Sequence, residues 1–151
     1  MIELGVEFDT AEQESRPKPL AEGTYEFRVA KIEEVTSGAG RPGWNWHLEI
    51  INRPDLPGRR VFYRTFFPWT PPGSQEVDAG GMGMLVAIMN GISAKWSGTQ
   101  LPEPAVFVGK VGVMRVGLKT RKLDLNDPES DTVEENTVRI INKRGGGGTV
   151  V

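Results

Sequence analysis

The sequence contains no cysteine and only one histidine, His47. Disulfide bonds, thiolate zinc sites and cysteine nucleophiles are therefore excluded. No apolar run approaches the roughly 20 residues that a membrane-spanning helix needs, and the first residues lack the basic region and apolar stretch of an export signal. These absences lead us to expect a soluble, cytoplasmic protein that has no membrane partner.

An overall excess of basic residues is also lacking, because the formal net charge is −2. The charges are nevertheless unevenly distributed. Acidic residues dominate residues 1–22 and again residues 124–135, whereas residues 105–123 carry several lysines and arginines and no acid. Local basic surfaces are therefore expected on a protein that is acidic as a whole.

The most informative stretch is residues 41–69. Two runs rich in aromatic and β-branched residues flank a turn that contains Pro54, Pro57 and Gly58, which is typical of two antiparallel strands joined by a loop. Arginines are interleaved with the aromatic residues throughout this predicted hairpin. Aromatic faces next to guanidinium groups suit the unpaired bases and the phosphates of a single-stranded nucleic acid.

The rest of the chain predicts an all-β fold with one helix. We expect strands at residues 24–36, 44–52, 60–67, 106–119 and 137–142, a helix at 80–96 between strands three and four, and a polar loop at 120–136. A shift in the alternation near Ile32 indicates a β-bulge in the first strand, and the glycines of strand four indicate bends. This order matches the five-stranded OB-fold barrel, although a sandwich is also compatible with it.

Three segments follow from this pattern. Residues 1–22 form an acidic N-terminal arm, for which Phe8 is a candidate anchor, and residues 23–143 form the OB-fold-like domain. Residues 144–151 are a flexible glycine-rich end. The charge of the arm suggests that it competes with DNA for a basic groove.

Short motifs distributed along the chain resemble phage-encoded single-stranded DNA-binding proteins with an OB fold. The matching residues are Phe8-Asp9, Leu20 to Tyr25, Ser37-Gly38, Trp46 to Ile51, Gly58 to Phe62, Val108-Gly109-Lys110, and Asn136 with Val138. The resemblance implies single-stranded DNA binding in phage replication and recombination, phage or host replication and recombination proteins as further partners, and a location in the host cytoplasm.

The candidate DNA contacts lie on the predicted hairpin, on the predicted strand four, and in the loops between strands one and two and between strands four and five, which flank the binding face of an OB-fold. Alternation places Phe62, Arg64 and Phe66 on one face of strand three, where they are either a base-stacking stripe or part of the core. Trp44 is either a base platform or a core residue, whereas Trp46 is predicted to be core. The full predicted set is Arg41, Trp44, Arg59, Arg60, Phe62, Arg64, Phe66, Arg115, Lys119, Arg121 and Lys122.

No catalytic or metal-binding constellation is recognisable, so we expect a protein that is not an enzyme and has no cofactor. An acidic stretch near Asp124 resembles a calcium loop, but Pro128 and Glu129 occupy positions where an oxygen ligand and a glycine are required. One alternative is a β-rich structural or assembly module of a virion, which would account for the nearly neutral charge. A less favoured alternative is an oligosaccharide-binding module. Homo-oligomers are compatible with all of these functions.

Overall fold

The structure is a computed structural model, and it describes residues 1–8 and 18–141. Its elements are β1 (Gly23–Thr36), β2 (Pro42–Ile50), β3 (Arg60–Phe66), α1 (Met82–Gly91), β4 (Val111–Lys122) and β5 (Thr132–Ile140), with a short 3-10 turn at Pro104–Val106. The predicted class, all-β with one helix between strands three and four, is confirmed. In the described part of the chain, no helix is long and apolar enough to cross a membrane.

The five strands form one antiparallel sheet in the order β3-β2-β1-β4-β5. A closed barrel would require β3 and β5 to pair, and no strand ladder joins them within the described residues. The expected barrel is therefore corrected to an open, OB-fold-like sheet. Helix α1 packs against β3, β4 and β5, and the Tyr63 hydroxyl on β3 donates a hydrogen bond to the Met84 carbonyl at 3.0 Å.

The core lies on the inner face of the curved sheet, where alternate residues of each strand are buried. Phe27, Trp46, Leu48, Met114 and Val116 have no exposed surface. The ring of Phe27 rests on Gly112, where an added Cβ would lie 2.7 Å from the ring. The sequence predicted only a bend at this glycine. The structure shows that Gly112 is needed because any side chain there would clash with the Phe27 ring.

The predicted β-bulge in β1 is confirmed. The pairing of β1 with β2 shifts register between Val29 and Lys31. Because one extra residue reverses the alternation of a strand, Lys31 and Glu33 lie on the outer face although they have odd numbers like the buried Val29.

The predicted element ends were less accurate. The expected loop at 120–136 is wrong at both ends, because β4 continues to Lys122 and β5 already begins at Thr132; the connection is limited to residues 123–131. The helix ends at Gly91, five residues before the predicted end, and Ser93 just after it has a φ of 57°. The fourth strand begins at Val111 and not at residue 106, because Val106 ends the 3-10 turn and residues 107–110 are not in a strand. The glycine-rich end at 144–151 lies outside the described residues.

The part of the arm next to β1 is anchored where β3 and β5 face each other. Leu20 is buried, and the side-chain amide of Asn136 on β5 bonds both its N–H and its carbonyl, at 2.8 and 2.9 Å. The Arg59 guanidinium donates to the carbonyl of Lys18 at 2.7 Å. Phe8 is 78% exposed, so it is not docked in this structure.

Candidate functional site

The candidate site is the outer face of β1, β2 and β3, which carries four rows of side chains in register across the three strands. From one end to the other, the rows are Arg28–Glu49–Arg60, Lys31–His47–Phe62, Glu33–Asn45–Arg64 and Val35–Gly43–Phe66. The rows contain four cations and two carboxylates, so this face is locally positive on a chain whose net charge is −2.

Phe62 is the exposed aromatic ring of this face. It is 57% exposed, although it lies in the middle of a strand. The neighbouring His47 ring meets it edge to face, with centroids 4.8 Å apart and an interplanar angle of 89°. The contact with His47 therefore holds the Phe62 ring in place, while much of the ring remains open to solvent.

His47 is in turn held by polar groups on the two neighbouring strands. Its Nε2 donates to the Glu33 carboxylate on β1, and its Nδ1 lies 3.5 Å from an Arg60 guanidinium nitrogen on β3. This arrangement fits the neutral tautomer in which Nε2 carries the hydrogen and Nδ1 accepts. The hydrogen bond from His47 lowers the pKa of Glu33 below its usual 4.5, against a smaller opposing effect of burial.

The next two rows add Arg64 and Phe66, which follow Phe62 along the outer face of β3. Arg64 is exposed and lies opposite Asn45, whose side-chain oxygen is the one buried side-chain polar atom without a hydrogen-bond partner among the described residues. Phe66 is half-buried because its ring packs over Gly43, where a Cβ would clash with it. Phe62 and Arg64 are thus freely presented, whereas Phe66 presents only part of its ring.

A groove of about 650 Å³ runs along the unpaired side of β3. It is lined by residues 57–62 and, from β5, by Asn136 and Val138. The groove occupies the position where a closed barrel would have its last pair of strands. It joins the exposed surface of Arg60 and Phe62 to the anchoring point of the N-terminal arm.

Arg41 and Trp44, two predicted DNA contacts, are used internally. The Arg41 guanidinium donates to the carbonyls of Phe67, Asp78 and Gly80, at 2.7, 3.0 and 2.6 Å. It also lies 3.4 Å from the Asp78 carboxylate, and its side chain is only 15% exposed.

Trp44 is 5% exposed and packs against the rings of Trp46, Phe67 and Phe107. Its faces cannot stack on a base in this conformation. Trp46 is fully buried, as predicted.

Arg59 and the basic residues of β4 do not lie in the rows that carry Arg60, Phe62 and Arg64. Arg59 bonds the arm, as described above. Lys119 and Arg121 both pair with Glu135 on β5, at 3.3 and 3.2 Å. Arg121 and Lys122 belong to β4 and not to a loop, and the connection that follows them, residues 123–131, is rich in acids.

Arg115 is exposed on β4, a strand two positions from β2 in the sheet order. Its direct neighbour on β5 is Arg139. Of the predicted residues, the structure therefore brings together Arg60, Phe62, Arg64 and the edge of Phe66.

Two cations of this face were missed by sequence reasoning. Lys31 lies in the same row as Phe62, with its amine 3.9 Å from the Glu33 carboxylate. Arg28 pairs with Glu49 at 3.0 Å. Their placement depends on the register of β1 against β2 and on the bulge, and neither can be read from the local pattern alone.

Within residues 1–8 and 18–141, no three acidic or histidine side chains converge as a metal site. Comparisons with models of known protein families and with curated proteins gave no match to the chain. The chemistry that the site can perform must therefore be argued from its geometry. An exposed ring between two exposed guanidinium groups offers stacking and phosphate contacts.

Proposed function

We propose that the protein binds single-stranded DNA without sequence preference, through the outer face of β2 and β3. Bases stack on Phe62 and on the open part of Phe66, and Arg60 and Arg64 contact the phosphates. The resemblance to phage single-stranded DNA-binding proteins supports a role in coating exposed strands during replication and recombination. On this proposal the protein performs no chemical reaction.

The observation that carries the proposal is the exposure of Phe62 between two arginines. A single exposed apolar side chain is common on protein surfaces, so it is the combination of the ring with the two arginines that suits a nucleic acid. Residues two apart in a strand are about 7 Å apart, so the arginines flank the ring within reach of the backbone of a strand stacked on it. Because every base has a π-face, such a platform tolerates any sequence.

The placement of the cations agrees with binding to a backbone. Among the described residues, Arg64 forms no ion pair and the side-chain partner of Arg60 is His47. In this conformation a phosphate would therefore not have to displace a carboxylate of the described residues from either group. The cations of β4 differ, because Lys119 and Arg121 are already paired with Glu135.

A direct test is fluorescence anisotropy of a labelled oligo-dT titrated with the protein at several salt concentrations. A duplex of equal length is the control. We expect binding to the single strand only. Log K should fall as log salt rises, with a slope of about −0.7 for each phosphate contact. An absence of binding at low salt would refute the proposal.

The unpaired edges of β3 and β5 favour a second candidate, an assembly module of a virion. Unpaired strand edges and an exposed aromatic ring are also what a subunit interface uses. In that case Phe62 would be buried between copies of the chain. Light scattering coupled to gel filtration separates the two functions, because the assembly module forms a defined oligomer without DNA and does not bind the oligonucleotide.

A further inference from the structure

The first residues of the chain carry a strand pattern that has no partner. Ile2, Leu4, Val6 and Phe8 alternate with polar residues or glycine, and they are 86, 78, 48 and 78% exposed. Strict alternation over this length is typical of a strand with one buried face. The described residues include no strand paired with this segment.

The free edge of β3 offers the backbone groups that such a strand needs. On the β2 side, Arg59 accepts from the Ile50 N–H and the Phe67 N–H donates to Pro42, at 2.9 and 3.0 Å. In an antiparallel ladder, residues whose backbone N–H and C=O groups bond to one neighbouring strand alternate with residues whose backbone groups point to the opposite side of the strand. The backbone N–H and C=O groups of Arg60, Phe62 and Arg64 therefore point away from β2, toward the open side of β3, where Arg60 and Phe62 line the groove described above.

We propose that residues 2–8 dock as an antiparallel strand on the free edge of β3 of the same chain, with Gly5 opposite Phe62. In this register Glu7 lies opposite Arg60 and Glu3 lies opposite Arg64. Opposite charges facing each other across a strand pair are stabilising. The spacing matches in full, because two acids four residues apart meet two arginines four residues apart.

The remaining residues of the segment also fit this register. Gly5 leaves room for the Phe62 ring, in the same way that Gly43 accommodates Phe66. The apolar side chains point to the inner face, next to the buried Val61 and Tyr63. There they would line the gap between β3 and β5 and continue the core.

The anchor of the arm makes docking within one chain feasible. Lys18 is bonded to Arg59, and the proposed register places Phe8 opposite Arg59 as well. The nine residues 9–17 can span up to about 30 Å when extended, which is far more than this return requires. In the structure Gly5 has a φ of 71°, and glycine changes between that conformation and an extended strand at little steric cost.

A disulfide test takes advantage of the absence of natural cysteine. The double variant Gly5→Cys with Phe62→Cys places two thiols across a hydrogen-bonded pair, whose Cα separation of about 5.5 Å suits a disulfide. Under mild oxidation we expect an intramolecular disulfide, seen as a faster-migrating monomer on a non-reducing gel. The control is Gly5→Cys with Leu125→Cys, since Leu125 is 83% exposed on the connection between β4 and β5.

We expect the Gly5–Phe62 variant to oxidise at least severalfold faster than this control. Adding Glu3→Lys and Glu7→Lys to it should remove most of that advantage. Equal rates for the variant and the control would overturn the proposal. Disulfide-linked dimers at low protein concentration would also overturn it, because the segment would then occupy β3 of a second copy.

The docked segment would cover the same surface that we propose for DNA, and this consequence alone rests on the proposed function. Deleting residues 1–8 should then tighten binding of oligo-dT at low salt. The disulfide test needs no nucleic acid. A failure of DNA binding and a failure of docking are therefore distinguishable.

Discussion

Replacing Phe62 with alanine is the most direct test of the stacking platform. Stacking of one base on an aromatic ring is worth about 1–3 kcal/mol by alanine substitution, and each 1.4 kcal/mol corresponds to about a tenfold change in affinity. We therefore expect Phe62→Ala to bind oligo-dT about 5 to 150 times more weakly than the original protein.

The fold should tolerate this substitution, which makes the test interpretable. Phe62 is 57% exposed, and it contacts the ring of His47 at right angles, an interaction worth about 0.5–1.5 kcal/mol. Circular dichroism should show the original spectrum and a melting temperature lowered by only a few degrees.

Two further variants complete the assay. Phe62→Trp keeps a stacking face and should retain or increase affinity, whereas Leu125→Ala removes an even more exposed apolar side chain outside the site and should leave affinity unchanged. The measurement is anisotropy with labelled oligo-dT at one fixed salt concentration. If Phe62→Ala stays folded and binds within twofold of the original protein, bases do not stack on this ring and the reasoning fails.

Three other outcomes follow from the geometry. Arg64→Ala should lower the slope of log K against log salt by about 0.7, the value for one phosphate contact, and the exposed Lys95→Ala should not; equal slopes in an anisotropy titration would contradict the contact. Burial raises the pKa of Tyr63 to about 12 from 10, so the tyrosine stabilises the fold fully below pH 10 and this contribution is lost as pH rises from 10 to 12; urea unfolding of Tyr63→Phe should lack that loss. Gly112→Ala should lower the free energy of unfolding by about 1–3 kcal/mol, because the new Cβ would lie 2.7 Å from the Phe27 ring; unchanged urea unfolding would show that the ring can move aside.

Alternation made the first three strands predictable from the sequence. In β3, Val61, Tyr63 and Thr65 are buried while Phe62 and Arg64 are exposed. The alternation therefore sorted the residues of β3 correctly into two faces, and it left open only which of the two faces is exposed to solvent. The bulge in β1 was also visible, because an extra residue interrupts the alternation. These are local properties, and a local pattern suffices to predict them.

Other features depend on contacts between distant parts of the chain, which a local pattern does not reveal. Arg41 looks like a free cation in a glycine-rich turn, and its use becomes clear only when Phe67, Asp78 and Gly80 are brought to it by the fold. Trp44 similarly lies at the start of a strand, but Phe107 from the 3-10 turn region covers it.

The ends of β4 and β5 were missed because polar residues fill both strands there. Lys119 and Arg121 pair with Glu135 across the ladder, and such a hairpin is stabilised by charge pairs and backbone hydrogen bonds and not by an apolar face. Its sequence therefore has the composition of a loop. The open side of the barrel was unpredictable for a related reason, since strand number and order do not determine whether the last two strands pair.

The open edge of β3 also has a consequence for solubility. Unpaired N–H and C=O groups in an edge strand can recruit strands from other molecules, and charged side chains on the edge oppose this. Arg60 and Arg64 stand on the edge itself, where two molecules meeting edge to edge would bring four positive charges together. Selection for a monodisperse protein would therefore retain these arginines even in a variant that no longer had a ligand to bind.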